Sequence, residues 1–374
     1  MGRGMWGRAT AVAGLLALAA CSSAGGASPD GTSVHVDPST TPAWRATTTT
    51  TTTKPKARSH RAVASVTLAF AGDVHFEGVL RQELAADPQG LLAPIAPILR
   101  RADVAMVNLE TAITERGTPQ LKIYTFRASP RAFTALSSAG IDVATMANNH
   151  GLDFGPVGLM DSLAAIRSSA FPVVGIGANE NEAYAPYRTT VRGTRIAIIG
   201  ASQVIDDPMI ATWTATAMQP GIASAKRVDR LVQAVREARA TSDTVVVFLH
   251  WGQEGSACTT FDQRTLARAL VDAGADIVVG SHAHLLLGAG HLARSDGSSA
   301  FVDYGLGNFA FYSPPGPSSV TGVLLLTVRK RQVVDYGWQP AHIEAGVPVP
   351  VTGSTVTMEQ TAWDRLRSCT DLQK

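Results

Sequence analysis

Cysteine is scarce: there are 3 in 374 residues, and none stands at the spacing of a zinc-binding motif. A thiolate metal cluster and a disulfide-stapled mini-domain are therefore excluded. Net charge is nearly absent too, since 32 basic residues against 30 acidic ones leave only +2. A near-neutral chain has no electrostatic reason to seek nucleic acid or an anionic surface, so a polar small or polymeric substrate is expected instead. No internal repeat is visible, and no G-x-S-x-G nucleophile elbow occurs. Gly305-Leu306-Gly307-Asn308 lacks the last glycine and the following helix of a dinucleotide fingerprint.

What the chain does contain begins with a leader. Arg3 and Arg8 precede the apolar run Ala9–Ala20, which is shorter than the ~20 residues a membrane-spanning helix needs. The run ends in Leu18-Ala19-Ala20-Cys21, a pattern similar to the bacterial lipobox, so residues 1–21 read as a lipoprotein signal peptide with Cys21 as the lipidated anchor. The expected location is outside the cytoplasmic membrane, facing outward and held by that lipid. Residues 22–65 are rich in Ser, Thr and Pro, include the run Thr47–Thr53, and read as a disordered tether. A folded domain is expected over 66–345 and a C-terminal extension over 346–374. Cys258 and Cys369 are able to pair in an oxidising compartment or to stay apart, and the sequence leaves both open.

Within the domain, β-branched apolar runs alternate with helical patterns, which predicts an α/β fold. Strands are expected over Val66–Ala71, Val104–Asn108, Val143–Met146, Pro172–Gly175, Thr244–Leu249 and Ile277–Val279, with later ones at Phe301–Tyr304 and Val320–Val328. Arg195–Gly200 reads as a hairpin arm behind an Arg192-Gly193 turn. Helices are expected near Pro94–Arg101 and Pro130–Ala139, and over Gly155–Ser169, Ala223–Ala240 and Leu266–Ala273.

The polar residues that carry chemistry sit where those strands end. Asp73-Val74-His75 follows the first strand, and Asn108-Leu109-Glu110 closes the second. Asn148-Asn149-His150 follows the third, His250-Trp251-Gly252 ends the Val245–Leu249 run, and His282-Ala283-His284 follows Ile277–Val279. Five of the nine histidines occupy these places. Ligands of open α/β sheets bind beyond the carboxyl ends of strands, and a period of two points both ends of D-x-H or H-x-H the same way. Mixed imidazole and carboxylate donors suit divalent Mn, Zn or Fe rather than Ca, and two divalent ions held there would clamp a phosphoryl group and activate a water.

This order resembles that of the calcineurin-like metallophosphatases. More closely, with Tyr304-Gly305-Leu306-Gly307-Asn308-Phe309 added, it resembles the CapA family, which is associated with poly-γ-glutamate capsule biosynthesis. The resemblance spans about Val66 to Val328. It implies a metallophosphatase-like four-layer sandwich, two stacked mixed β-sheets flanked by helices. It also implies that Asp73 bridges two metals, that His75 and His284 complete one shell, and that Asn149, His250 and His282 bind the other ion. Glu110 takes the second bridging place, where phosphatases have Asp. His150 would act as the acid, with Asp153 orienting it, and Asn108, Asn148, Trp251 and Asn308 would line the substrate. Trp251, Phe309, Phe311 and Tyr312 read equally as an aromatic rim or as core. Gly151 stands where many phosphatases carry an acid, and His75 is a histidine that the CapA family often lacks. The implied activity is a metal-dependent hydrolase or transferase acting on a polymer amide or phosphoester, with a membrane polymer synthase as a partner. A polymer-binding or export component without catalysis, and an extracytoplasmic phosphoesterase or nucleotidase, are the other readings.

Overall fold

Alternation inside the strands sorts their residues into three apolar layers. On the strand Val66–Val74, Leu68 and Phe70 face one way and Ala69 and Ala71 the other. This computed structural model describes residues 64–374; the leader with Cys21, and the tether as far as residue 63, lie outside the described residues.

Two mixed sheets stack face to face. The first has eight strands, with Val66–Val74, Val104–Leu109, Val143–Thr145 and Val173–Val174 parallel and adjacent. Antiparallel strands Val320–Arg329, Gln332–Glu344 and Val347–Pro350 extend it, and Asn308–Ala310 pairs in parallel with the end of Val66–Val74. The second sheet has six strands. Thr194–Ser202, Thr244–His250, Ile277–Ser281 and Ser299–Asp303 run parallel between antiparallel edges Tyr187–Val191 and Ala289–Ala293.

Leu68, Phe70, Met106 and Leu326 of the first sheet meet Ile198, Phe248, Val279 and Phe301 of the second in a buried middle layer. Each such side chain contributes roughly 1.5–3 kcal/mol by leaving water. The outer faces are covered by helices. Arg131–Ala139 and Gly155–Ser169 lie on the first sheet, and Val228–Thr241 and Phe261–Ala273 on the second. The result is the expected four-layer α/β sandwich. Among the described residues no helix is long and apolar enough to cross a membrane.

Several boundaries differ from expectation. The helix expected from Ala223 starts at Val228, because Ala223 is tied into the sheet: its N–H donates to Gly175 O and its carbonyl accepts from Ser202 N–H. The helix expected from Leu266 starts at Phe261, where Thr260 and Gln263 form a capping box. Residues 346–374 pack onto the domain. Val347–Pro350 pairs with Gln332–Glu344, Trp363 stacks on Trp338, and Cys369 forms a disulfide with Cys258.

Candidate metal centre

Register brings the strand ends to one edge. Asp73 is level with Asn108 and Asn308, Asn108 is level with Thr145, and His250 is level with Ser281. Gly72 lets the Gly305–Asn308 loop close over Asp73, because a Cβ at Gly72 would lie 1.8 Å from Gly307 O. Asp73 N–H donates to that same carbonyl at 3.0 Å.

Two groups of donors meet there, each drawn together within 4.8 Å: Glu110 with His250 and His282, and Asp73 with Glu110 and His284. All but His284 are buried. His250 Nε2 lies 2.7 Å from Asn149 Oδ1, 3.1 Å from His282 Nδ1 and 3.5 Å from Glu110 Oε1. One ring proton cannot serve three acceptors, whereas one cation can. His250 Nδ1 lies 3.1 Å from Asn108 Nδ2 and 3.3 Å from Ser281 Oγ. Glu110 is fully buried, and neither of its carboxylate oxygens has a hydrogen-bond partner. A buried charge so placed requires a counter-charge, and the donor set fits divalent ions.

The titration directions agree. Burial, then the neighbouring Asp73, pushes the Glu110 carboxyl well up, and burial raises Asp73. Burial holds His250 well below the usual imidazole range, and burial with His284 holds His282 at about 3. Both shifts favour neutral His250 and His282, the form in which imidazole binds metal.

His150 stands at the edge of this cluster, its Nε2 3.8 Å from Glu110 Oε1. Its Nδ1 lies 2.5 Å from Asp153 Oδ2, a contact that fixes the ring's orientation. Phe126 stacks on the ring at 4.0 Å, and its own N–H donates to Asp153 Oδ2. Lys122 Nζ lies 2.8 Å from Asp153 Oδ1 and also donates to the Asn149 carbonyl.

The structure does not bring His75 to the cluster. Glu77 N–H approaches its Nδ1 at 2.9 Å and Tyr312 N–H its Nε2 at 3.3 Å, while Phe126, Phe311 and Tyr312 enclose the ring. The strand ends at Val74, one residue short of His75, so the alternation that would have aligned D-x-H is not held there. His282 and His284 converge for a different reason than period two: both have left-handed backbone, with φ of 105° and 56°.

The residues expected to line the substrate are buried behind the cluster. Asn108 Nδ2 donates to Asp73 Oδ1 at 2.8 Å, and Asn148 Nδ2 donates to Asn108 Oδ1 at 2.9 Å. Asn308 Oδ1 lies 2.8 Å from His284 Nδ1. Trp251 is fully buried against Tyr304, because its indole N–H is satisfied by the Tyr304 carbonyl. Phe309 is core as well, Phe311 packs on His75, and Tyr312 is partly exposed. The cleft outside the cluster, about 700 Å³, is lined by Leu121, Lys122, Tyr124, Asn149, His150 and Glu254 among others. Lys122 and Glu254 carried no signal in sequence, since each is a single charged residue in a loop.

The chain is 27% identical over 307 residues to the capsule biosynthesis protein CapA of Bacillus anthracis, covering 79% of this chain and 72% of that one. It is 28% identical to the PGA biosynthesis protein CapA of Bacillus subtilis, covering 76% and 74%. A putative 5'-nucleotidase structure from Staphylococcus aureus matches 81% of this chain and 58% of its own at 17% identity, with a TM-score of 0.44. The family model described as bacterial capsule synthesis protein PGA_cap matches residues 67–313, which takes in every residue of the cluster, and the chain belongs to that family.

Proposed function

We propose that this chain is a metal-dependent hydrolase or transferase of poly-γ-glutamate metabolism, working outside the cytoplasmic membrane on a lipid anchor at Cys21. A membrane polymer synthase is its natural partner in that setting. The observation that carries the catalytic reading is the Glu110 carboxylate, buried and unpaired between His250, His282 and Asp73. Divalent ions bound there would supply Lewis acidity to an acyl or phosphoryl oxygen and lower the pKa of a water.

The chain's own residues account for the rest. Asp73, Glu110, Asn149, His250, His282 and His284 would hold the ions, a reading supported by their convergence. Asp153 fixes the His150 tautomer with its proton on Nδ1, so Nε2 is the atom that takes a proton from the nucleophile and returns it to the leaving nitrogen or oxygen. Burial lowers the His150 pKa, which keeps that nitrogen free to accept at neutral pH. Lys122 balances the charge of Asp153 and helps hold the pair in place.

The test uses the full chain, with metal analysis followed by turnover of poly-γ-glutamate and of a generic phosphodiester. His150→Ala is expected to abolish turnover while metal content stays at the wild-type level. Turnover retained in that variant overturns the assigned roles. Polymer binding without turnover in the metal-loaded wild type would instead establish a non-catalytic component.

A further inference from the structure

We propose that Glu254 is a metal-binding carboxylate of this centre, filling on the His284 side the place that His75 leaves vacant. The inference rests on the metal-centre reading above. With His75 enclosed by aromatic rings and its nitrogens facing backbone N–H groups, the Asp73 and His284 side is one donor short.

Glu254 is positioned to make up the difference. Its carboxylate, His282 and His284 offer donor atoms within 4.8 Å of one another. Backbone hydrogen bonds pin the loop that carries it to the H-x-H segment on both sides. Trp251 N–H donates to Ser281 O at 3.0 Å, and Gly255 N–H donates to Ala283 O at 3.0 Å. Between these clamps, left-handed backbone at Gly252 and Gly255, with φ of 95° and 71°, turns the chain sharply. The loop continues to Cys258, whose disulfide to Cys369 ties it to the C-terminal segment. No side-chain hydrogen bond or ion pair engages Glu254 among the described residues, so its oxygens are free for a cation.

The substitution has chemical consequences. A carboxylate in place of an imidazole favours Mn or Mg over Zn. It also makes the two positions unequal. Glu110, Asn149, His250 and His282 form a buried position rich in nitrogen donors. Asp73 and Glu110 meet His284, and Glu254 meets His282 and His284, in an outer one richer in oxygen, with an exposed ligand on a loop. Three carboxylates from Asp73, Glu110 and Glu254 against two divalent ions leave one net positive charge, enough to draw an anionic substrate without trapping it.

Titration calorimetry with Mn²⁺, paired with metal analysis of the dialysed full chain, tests this. The wild type is expected to bind two equivalents in a tight and a weaker step. Glu254→Gln is expected to lose the weaker step, or to weaken it by tenfold or more, and to keep the tight one. His75→Phe is expected to bind both equivalents. The inference is overturned if Glu254→Gln binds two ions with wild-type affinities, or if His75→Phe loses one. A wild type that binds no ion overturns the metal-centre reading itself, and with it this inference.

Discussion

Glu110→Gln separates the need for a metal from the need for packing. In the metal-free protein Glu110 is a buried carboxylate with no donor on either oxygen, and removing its charge relieves a cost. The penalty for such a group is about 1–3 kcal/mol or more. Unfolding entropy of ~2.1 cal/mol/K per residue gives a domain of about 310 residues ~0.65 kcal/mol/K. Metal-free Glu110→Gln should therefore melt about 2–5 °C above metal-free wild type at neutral pH. The sign follows from titration. A folded-state pKa raised above the unfolded value contributes stability at low pH that is lost as pH climbs through the raised value, so the gap between variant and wild type should widen with pH. With Mn²⁺ the order reverses. Each ion at ~100 times its dissociation constant adds ~2.7 kcal/mol, or about 4 °C, and two add about 8 °C. Glu110 belongs to both ligand groups, so the variant should gain only a small part of this. The assay is differential scanning calorimetry with chelator or Mn²⁺ across a pH series. Equal metal-induced gains in the two proteins, or a metal-free variant less stable than wild type, refutes the reasoning.

Three further outcomes follow from the same structure. Lys122→Met leaves Asp153 buried without its cation, so it should cost about 3–5 kcal/mol in calorimetry and slow turnover without changing metal content. Reducing Cys258–Cys369, or replacing both with Ser, opens a loop with a sequence separation of 111 residues. The loss should approach about 4.7 kcal/mol, or about 7 °C in melting temperature. Asp303 is fully buried, and burial raises its carboxyl to about 8. Wild type should thus lose stability as pH climbs from the ordinary carboxylate range through 8. Asp303→Asn should remove that decline in denaturant midpoints, and an unchanged pH profile would contradict it.

The fold was legible because burial on both faces leaves an unmistakable record in strands. Val245–Leu249 and Ile277–Val279 are continuous apolar runs, as strands buried on both faces must be. The location of the centre was legible for the same reason, since Asp73, Asn108 and His250 are the polar residues at which such runs end. What stayed hidden depends on contacts between distant segments. Glu254 and Lys122 have no periodicity to mark them. The pairing of Cys258 with Cys369 needs the C-terminal helix Ser354–Leu366 to pack against the sheet, which no local pattern announces.

The D-x-H and H-x-H motifs show where the period-two argument stops. It holds while a residue is inside a hydrogen-bonded ladder, and it lapses at the ladder's end, where these residues lie. Past Val74 the strand ends and His75 turns into an aromatic cage; past Ser281 the backbone of His282 and His284 becomes left-handed and both rings still converge. The centre is consequently built from two kinds of support. Asp73 and His250 are set by sheet register and backed by Asn108, so their positions follow from the fold. His282, His284 and Glu254 are set by strained backbone and by the hydrogen bonds from Trp251 and Gly255, so their positions follow from loops. Strained backbone persists only where its surroundings over-determine it. Cations shared among these side chains would be one such constraint, and would give the loop-borne half of the centre the order that register gives the other.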